Sequence, residues 1–316
     1  MKILVPSKIA ASSFKPGTTI PEVDTASGEV AWTDTGTYAI DDLRVYAGGV
    51  YSCVKAHTST AANPKPDADP THWLFKEPSN RMKPFDEYLY TKARKKQELK
   101  YVIGVPFATG FAMHGVEADS YSYVYRDAPS DAFPAGEVLT SAAGSMWEQA
   151  YGHFELLFGN LQLGTKWTSP KLPLRPGAVA EITLTRNDPD VEAAVGWIGL
   201  GQWHEIQSPH SGIGATEQGI ELGARTTARR KDRGDGTYTR TRGLQSKEAT
   251  GTAIFDARQA PRVARLLEQI LDQVVAVDFS DMPQYAHLSG VGFLTGRITH
   301  TSQRFSRMAF TFNGNV

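Results

Sequence analysis

Pro261-Arg262-Val263-Ala264-Arg265-Leu266-Leu267-Glu268-Gln269-Ile270-Leu271-Asp272-Gln273-Val274, followed at once by Val275-Ala276-Val277-Asp278-Phe279, is the stretch that decides the fold. Val263, Leu266, Leu267, Ile270, Leu271 and Val274 recur at helical spacing, which predicts one helix with a single apolar face. Pro261 suits the first turn, where its missing N–H costs nothing. Residues 275–279 then read as a strand, and 290–299 and 305–312 as two more. One helix laid across a sheet is therefore expected at this end of the chain, an α+β arrangement.

Upstream, residues 219–227 and 237–242 flank a polar stretch whose Asp235-Gly236 pair signals a hairpin turn. Arg225, Arg229, Arg230, Lys231, Arg233, Arg240 and Arg242 make this hairpin the clearest local excess of charge in the chain. Such an excess suits either a solvated hairpin or docking against an acidic surface of a neighbouring subunit. Nucleic acid is not an expected partner, because Tyr238 is the lone aromatic interleaved with these cations. From residue 80 to 201, short strand candidates at 101–105, 121–125, 153–158, 181–184 and 195–200 alternate with loops bearing Pro and Gly, the pattern of a β-sandwich. Residues 31–79 form a smaller aromatic unit, with strands expected at 43–46 and 50–54 and a turn region at Asn63-Pro64-Lys65-Pro66-Asp67. Residues 1–30 carry Pro16-Gly17, Pro21 and Ser/Thr clusters, and read as an extended arm with little core of its own. The whole is expected to be mainly β and multidomain: arm 1–30, module 31–79, sandwich 80–201, and an α+β assembly domain 202–316.

Composition agrees. At 316 residues the chain exceeds what one ordinary core organises, and 29 Gly with 18 Pro favour turns over long helices. A formal net charge of -1 supplies no global field toward nucleic acid or anionic lipid. Cys53 is the single cysteine, so no intrachain disulfide and no multi-cysteine zinc site can form, which suits assembly in a reducing cytosol. The opening residues lack a secretory apolar segment, and no apolar run of about 18 residues occurs, so membrane insertion is not expected.

Other constellations lead away from catalysis. His204-Glu205 with His210 departs from the helical zinc-protease spacing, in which the second His follows four residues after the first, and Pro209 intervenes. Gly199-Leu200-Gly201 and Gly212-Ile213-Gly214 lack the continuation that places amides and a lysine on phosphate. Asp232 and Asp235 suit turn geometry, and Arg233-Gly234-Asp235 is too short to carry an adhesion reading. No catalytic residue, metal or cofactor is expected.

Ala31-Trp32, Tyr38, Val45-Tyr46, Gly49-Val50-Tyr51, His57-Thr58-Ser59, Pro64 and Trp73 resemble, in order and spacing, the small chitin-binding modules attached to bacterial chitinases. The resemblance implies a sugar platform in which flat aromatic faces stack on pyranose rings, with Trp32, Tyr51 and Trp73 as candidates; the alternative is that these aromatics are the core of a module too small to bury much else. One departure is that Asp41-Asp42 stands where those modules carry Gly-Asp.

The order of parts, a short arm, the aromatic module and then Asn80-Arg81-Met82-Lys83-Pro84-Phe85-Asp86, is similar to an arrangement found in tailed-bacteriophage tail proteins. Leu172-Pro173, the strand at 181–185 and Val195-Gly196-Trp197-Ile198-Gly199-Leu200-Gly201 extend the similarity over most of residues 1–201. It implies a structural protein of the tail tip, baseplate or adaptor, assembled in the host cytoplasm and carried in the virion. Its partners would be copies of itself in a ring, other tail proteins, and a host-surface glycan. At the junction, Phe85 is expected to plug an apolar slot while Arg81 and Asp86 pair across it. Two alternatives are a glycan-binding adsorption protein and a polysaccharide hydrolase anchored by the module.

Overall fold

The computed structural model describes residues 1–25, 28–128, 136–147, 163–208, 216, 219–226, 228–232, 237–241, 243–280 and 287–315. The chain is mainly β and built from several sheets, as expected. After β1 (Lys2–Pro6), the aromatic module contributes β2 (Thr37–Tyr38), β3 (Leu43–Tyr46), β4 (Gly49–Cys53), β5 (His57–Thr58) and β6 (Trp73–Pro78). The middle of the chain supplies β7 (Ala93–Lys96), β8 (Glu98–Gly104), β9 (Gly110–His114), β10 (Ser120–Asp127), β11 (Glu137–Ser145), β12 (Lys166–Thr168), β13 (Ala178–Thr185), β14 (Glu192–Val195) and β15 (Trp197–Glu205). The last part adds β16 (Glu221–Thr226), β17 (Arg229–Asp232), β18 (Tyr238–Thr241), β19 (Gln245–Asp256), the helix α1 (Ala260–Gln269), β20 (Val275–Asp278), β21 (Gly290–His300) and β22 (Phe305–Gly314). The strand expected at 153–158 lies outside the described residues.

A nine-stranded sheet in the order β12-β9-β15-β1-β20-β21-β22-β19-β16 is the frame of the molecule. Its order corrects the reading of the first residues as an arm, since β1 sits between β15 and β20 with Ile3 and Leu4 fully buried. A strand covered on both faces shows no polar alternation, so Ile3-Leu4-Val5 carries no strand period that a short apolar run could reveal. The same sheet joins strands from both sides of residue 201, so the sandwich and the α+β region share one hydrogen-bonded layer.

One face of this sheet is covered in two places. At the β9–β15 end, the four-stranded sheet β11-β10-β13-β8 packs over Phe111, Met113, Ile198 and Leu200, placing Leu99, Tyr101, Ile103, Tyr125, Ile182 and Leu184 in the shared core. Beside it, Val263 and Leu266 of α1 pack with Ile3, Val5, Val277, Leu294, Met308 and Phe310. The helix is one turn shorter than its apolar period predicts: Ile270 is its C-cap and Val274 is buried beyond it, whereas Leu271 is 57% exposed. On the opposite face Leu4, Ala112, Trp197, Ala276 and Val291 form a third cluster, with Leu89 packed against it.

The segment 195–200, expected as one strand, is broken at Gly196. β14 pairs with β7, whereas β15 enters the large sheet between β9 and β1. A side chain at Gly196 would stand 2.3 Å from the Leu89 carbonyl oxygen, so the crossing of another segment, not local preference, fixes the break. The hairpin is longer than expected: β16 pairs with the start of β19, and β17 with β18 beyond it, carrying the paired ribbon past the sheet edge.

Candidate functional site

The module is built around a small aromatic core. Tyr38, Cys53 and Trp73 are buried together, with Tyr38 edge-on to Trp73 at 4.9 Å. Tyr38 is pinned at its other end, where its hydroxyl donates to the Thr33 carbonyl at 2.7 Å and accepts from the Thr33 amide at 2.9 Å. His57 adds a second edge-on contact to Trp73 at 5.5 Å, and its ring lies 4.4 Å from that of His72, which is bonded to Asp69 at 2.8 Å. Trp73 is consequently 3% exposed and cannot present a face to a sugar. Its place in the proposed platform is corrected: a module this small has few large side chains with which to fill its interior, and Trp73 is one of them.

The open aromatics lie further along the three-stranded sheet β3-β4-β6. Its register sets Arg44 opposite Tyr51, Tyr51 opposite Phe75, and Tyr46 opposite Gly49. Alternation along each strand then brings Tyr46, Tyr51 and Phe75 to one face. Phe75 is 54% exposed and meets Tyr51 edge-on at 5.7 Å. Trp32, half-buried, extends the row through an edge-on contact with Tyr46 at 5.2 Å, and the Lys65 ammonium sits over the Tyr46 ring at 5.6 Å. Burial raises the Tyr51 phenol pKa, helped by the Asp67 carboxylate and Tyr46. Of the residues singled out from sequence, Trp32 and Tyr51 therefore belong to this strip; Tyr46 and Phe75 are additions. The signal for Phe75 was its position two residues after Trp73, which gives the two the same face.

Gly49 is what lets the strip close up. A Cβ there would stand 2.9 Å from the Tyr51 ring and 3.0 Å from the Phe75 ring, so these rings occupy the space a side chain would take. The β3–β4 connection is a two-residue turn in which Ala47 and Gly48 both have positive φ, 48° and 83°, matching the twist of the flanking strands. Asp41 adopts φ 69°, so the aspartate that departs from the Gly-Asp pattern takes up the left-handed backbone that glycine favours. Asp42 completes the turn by accepting from the Ala39 amide at 3.0 Å.

Several hydrogen bonds tie down the junction behind the module. Asn80 exchanges two bonds with the backbone of Arg94, at 2.9 and 3.0 Å. Phe85 packs edge-on against Phe14 and Tyr101, the apolar slot expected for it. Arg81 and Asp86 do not pair. The Arg81 guanidinium donates to the Ile20 carbonyl at 2.8 Å and lies over the Phe14 ring, whereas Asp86 accepts from Tyr88 and Thr91. Arg81 finds its partner in a segment the sequence order does not place beside it, and Asp86 is taken up by the turn that follows it.

Arg225, Arg229 and Lys231 are exposed on the hairpin, and Arg230 stands in register with Arg240. Arg233 and Arg242, together with His210, Gly212 and Asp235, lie outside the described residues. Among the described residues no group of three or more His, Cys, Asp or Glu is placed to hold a metal ion, and no helix is long and apolar enough to cross a membrane.

Comparison with known families places a carbohydrate-binding module here: residues 31–74 match the model of carbohydrate-binding module family 5/12. The match spans the aromatic core, Trp32, Tyr46 and Tyr51, and ends one residue before Phe75. No curated protein and no solved structure matches the chain.

Proposed function

We propose that this chain is a non-enzymatic structural protein of a bacteriophage tail, whose module 31–79 binds a polysaccharide of the host surface. The observation that carries the reading is the strip of half-buried Trp32, Tyr46 and Tyr51 with exposed Phe75, on and directly beside a segment that matches a carbohydrate-binding family. Aromatic faces of this kind bury the apolar face of a pyranose without demanding that hydrogen bonds be rebuilt. In this reading the rest of the chain is a mount. Its large sheet ends in β16, every residue of which is exposed, and a separate paired ribbon bearing Arg229, Arg230, Lys231 and Arg240 follows it in the chain. Edges and charges of this type suit contact with further copies or with neighbouring tail proteins.

Retention of the full chain on chitin beads and on isolated host envelope polysaccharide tests the first half. Phe75→Ala should lower retention about tenfold while leaving the fold intact; equal retention of both proteins on either material removes the sugar reading. Immunogold labelling of purified particles with an antibody to the module tests the second half, and an unlabelled tail refutes it.

A further inference from the structure

Two histidines of the module are held as a matched pair. β5 pairs with β2, setting His57 opposite Tyr38, and the Val54 amide donates to the His72 carbonyl at 2.8 Å. The segment 54–57 is thereby held beside the turn that leads into β6. The two rings lie in contact, with centroids 4.4 Å apart and planes inclined by 41°. His57 also meets Tyr38 at 5.4 Å and Trp73 edge-on at 5.5 Å, which fixes its ring against the aromatic core.

The hydrogen bonds of the pair settle which nitrogen of each ring carries the proton. His57 Nδ1 stands 2.9 Å from the Lys55 carbonyl, and a carbonyl can only accept, so Nδ1 is the donor. His72 Nδ1 stands 2.8 Å from Asp69 Oδ2 and donates to that carboxylate in the same way. Asp69 is itself held in place: it is buried, its other carboxylate oxygen accepts from the Thr71 amide at 3.2 Å, and its carbonyl accepts from the Trp73 amide at 3.0 Å. With Nδ1 carrying the proton, the Nε2 lone pair is the basic site left on each imidazole. Among the described residues neither Nε2 has a hydrogen-bond partner, and both side chains are only partly buried.

An imidazole anchored through Nδ1–H on a carbonyl or a carboxylate, with Nε2 left over, is how a protein orients histidine toward a metal ion. Two such nitrogens, each about 2.0–2.1 Å from one tetrahedral ion, stand about 3.3 Å apart, within reach of rings already in contact. Cys53 is no third ligand. Its sulfur lies 3.8 Å from Nδ1 of His57 rather than at Nε2, it donates to the Lys55 carbonyl at 3.1 Å, and burial raises its pKa, which keeps it a thiol. We propose that His57 and His72 form a two-imidazole site for a late first-row divalent metal ion, with water completing the shell and Asp69 positioning His72. Imidazole suits ions of this class, whereas Mg²⁺ takes oxygen ligands. The bound ion clips the segment 55–58 to the turn before β6, beside Trp73. The site stands apart from the sugar reading, since none of Trp32, Tyr46, Tyr51 and Phe75 is a ligand.

Titration of the full chain with Zn²⁺ and, separately, with Mg²⁺, followed by calorimetry and by the ring signals of His57 and His72 in NMR, tests it. Saturable binding of Zn²⁺ that shifts both ring signals together is expected, with no response of either ring to Mg²⁺. His57→Gln and His72→Gln should each abolish the response of the ring that remains. Asp69→Asn keeps both imidazoles and should weaken Zn²⁺ binding about tenfold, the usual cost of a lost carboxylate behind a metal-bound histidine. Circular dichroism of the metal-free variants separates loss of a ligand from misfolding, and the response of the wild-type rings is read without any variant. Absence of a joint shift with Zn²⁺, an equal response to Mg²⁺, or Zn²⁺ affinity unchanged in either histidine variant overturns the proposal, and affinity unchanged in Asp69→Asn overturns the positioning role.

Discussion

His114 makes the body of this protein acid-sensitive, and the size of the effect follows from its surroundings. The imidazole is 6% exposed, between Lys166 and Trp197 in the sheet register. Burial first, and the ammonium groups of Lys166 and Lys247 next, lower its pKa from 6.5 to about 3. In the unfolded chain the same group regains its ordinary value. Between these two values the unfolded state binds a proton that the folded state refuses, so stability falls as the solution is acidified from 6.5 toward 3. A shift from pH 7 to pH 4.5 crosses much of that window and removes roughly 2–3 kcal/mol through this one residue. His114→Gln keeps a polar side chain of similar reach and has no proton to gain. Urea denaturation of both proteins at the two pH values isolates the effect, since carboxylate titration common to both cancels in the difference. The wild type should lose roughly 2–3 kcal/mol more than the variant on acidification. Parallel losses, or a His114 ring signal titrating near 6.5, would refute the reasoning.

Three further outcomes follow from packing and charge. Trp73→Ala should destabilise the module by about 3–5 kcal/mol, the cost of emptying an aromatic core site, and the loss of protection would be seen by hydrogen exchange in β4 and β6. Gly201→Ala should unseat β1, because a Cβ there stands 2.0 Å from the Val5 carbonyl oxygen and 2.9 Å from Pro6; a urea midpoint equal to that of wild type would show that β1 is not held between β15 and β20. If the basic hairpin docks on neighbouring subunits, Arg225→Glu with Lys231→Glu should weaken assembly by about tenfold or more and flatten its salt dependence in sedimentation.

Local pattern made much of this fold legible, and tertiary crossings hid the rest. β3 falls at the residues its aromatic alternation marked, and β21 and β22 follow their apolar runs to within a few residues. The helix begins where Pro261 allows it, yet its last predicted turn is lost because Ile270 and Val274 reach the core from a turn and Leu271 points outward. β1 was hidden for the opposite reason: being buried on both faces, it shows no period at all. In the module the aromatic positions were readable, but not which ring was capped, because Tyr38 comes from a different pair of strands, β2 with β5. The surroundings of His114 gave no signal, since Lys166 and Lys247 lie in β12 and β19 and only the strand order of the large sheet brings them together.

The attachment of the module bears on how any bound glycan would be felt. A flexible linker would let the strip search for ligand independently of the body, at an effective concentration set by linker length. Among the described residues behind the module no such linker is present. β6 ends at Pro78, Ser79 is fully buried, and the Ser79 amide donates back to Gly48 in the module's own turn at 2.9 Å. Asn80 then locks onto Arg94, and Arg81 reaches Ile20, within a few residues of the module's end. The aromatic strip is therefore presented at a fixed angle to the large sheet. In an assembly of several copies, a fixed angle makes avidity depend on the spacing and orientation of glycan chains rather than on their concentration alone. The same connection would transmit load: if the module holds a polysaccharide, as proposed, a pull on it would pass through the Ser79–Arg81 hydrogen bonds into β7 and the core beneath Phe85.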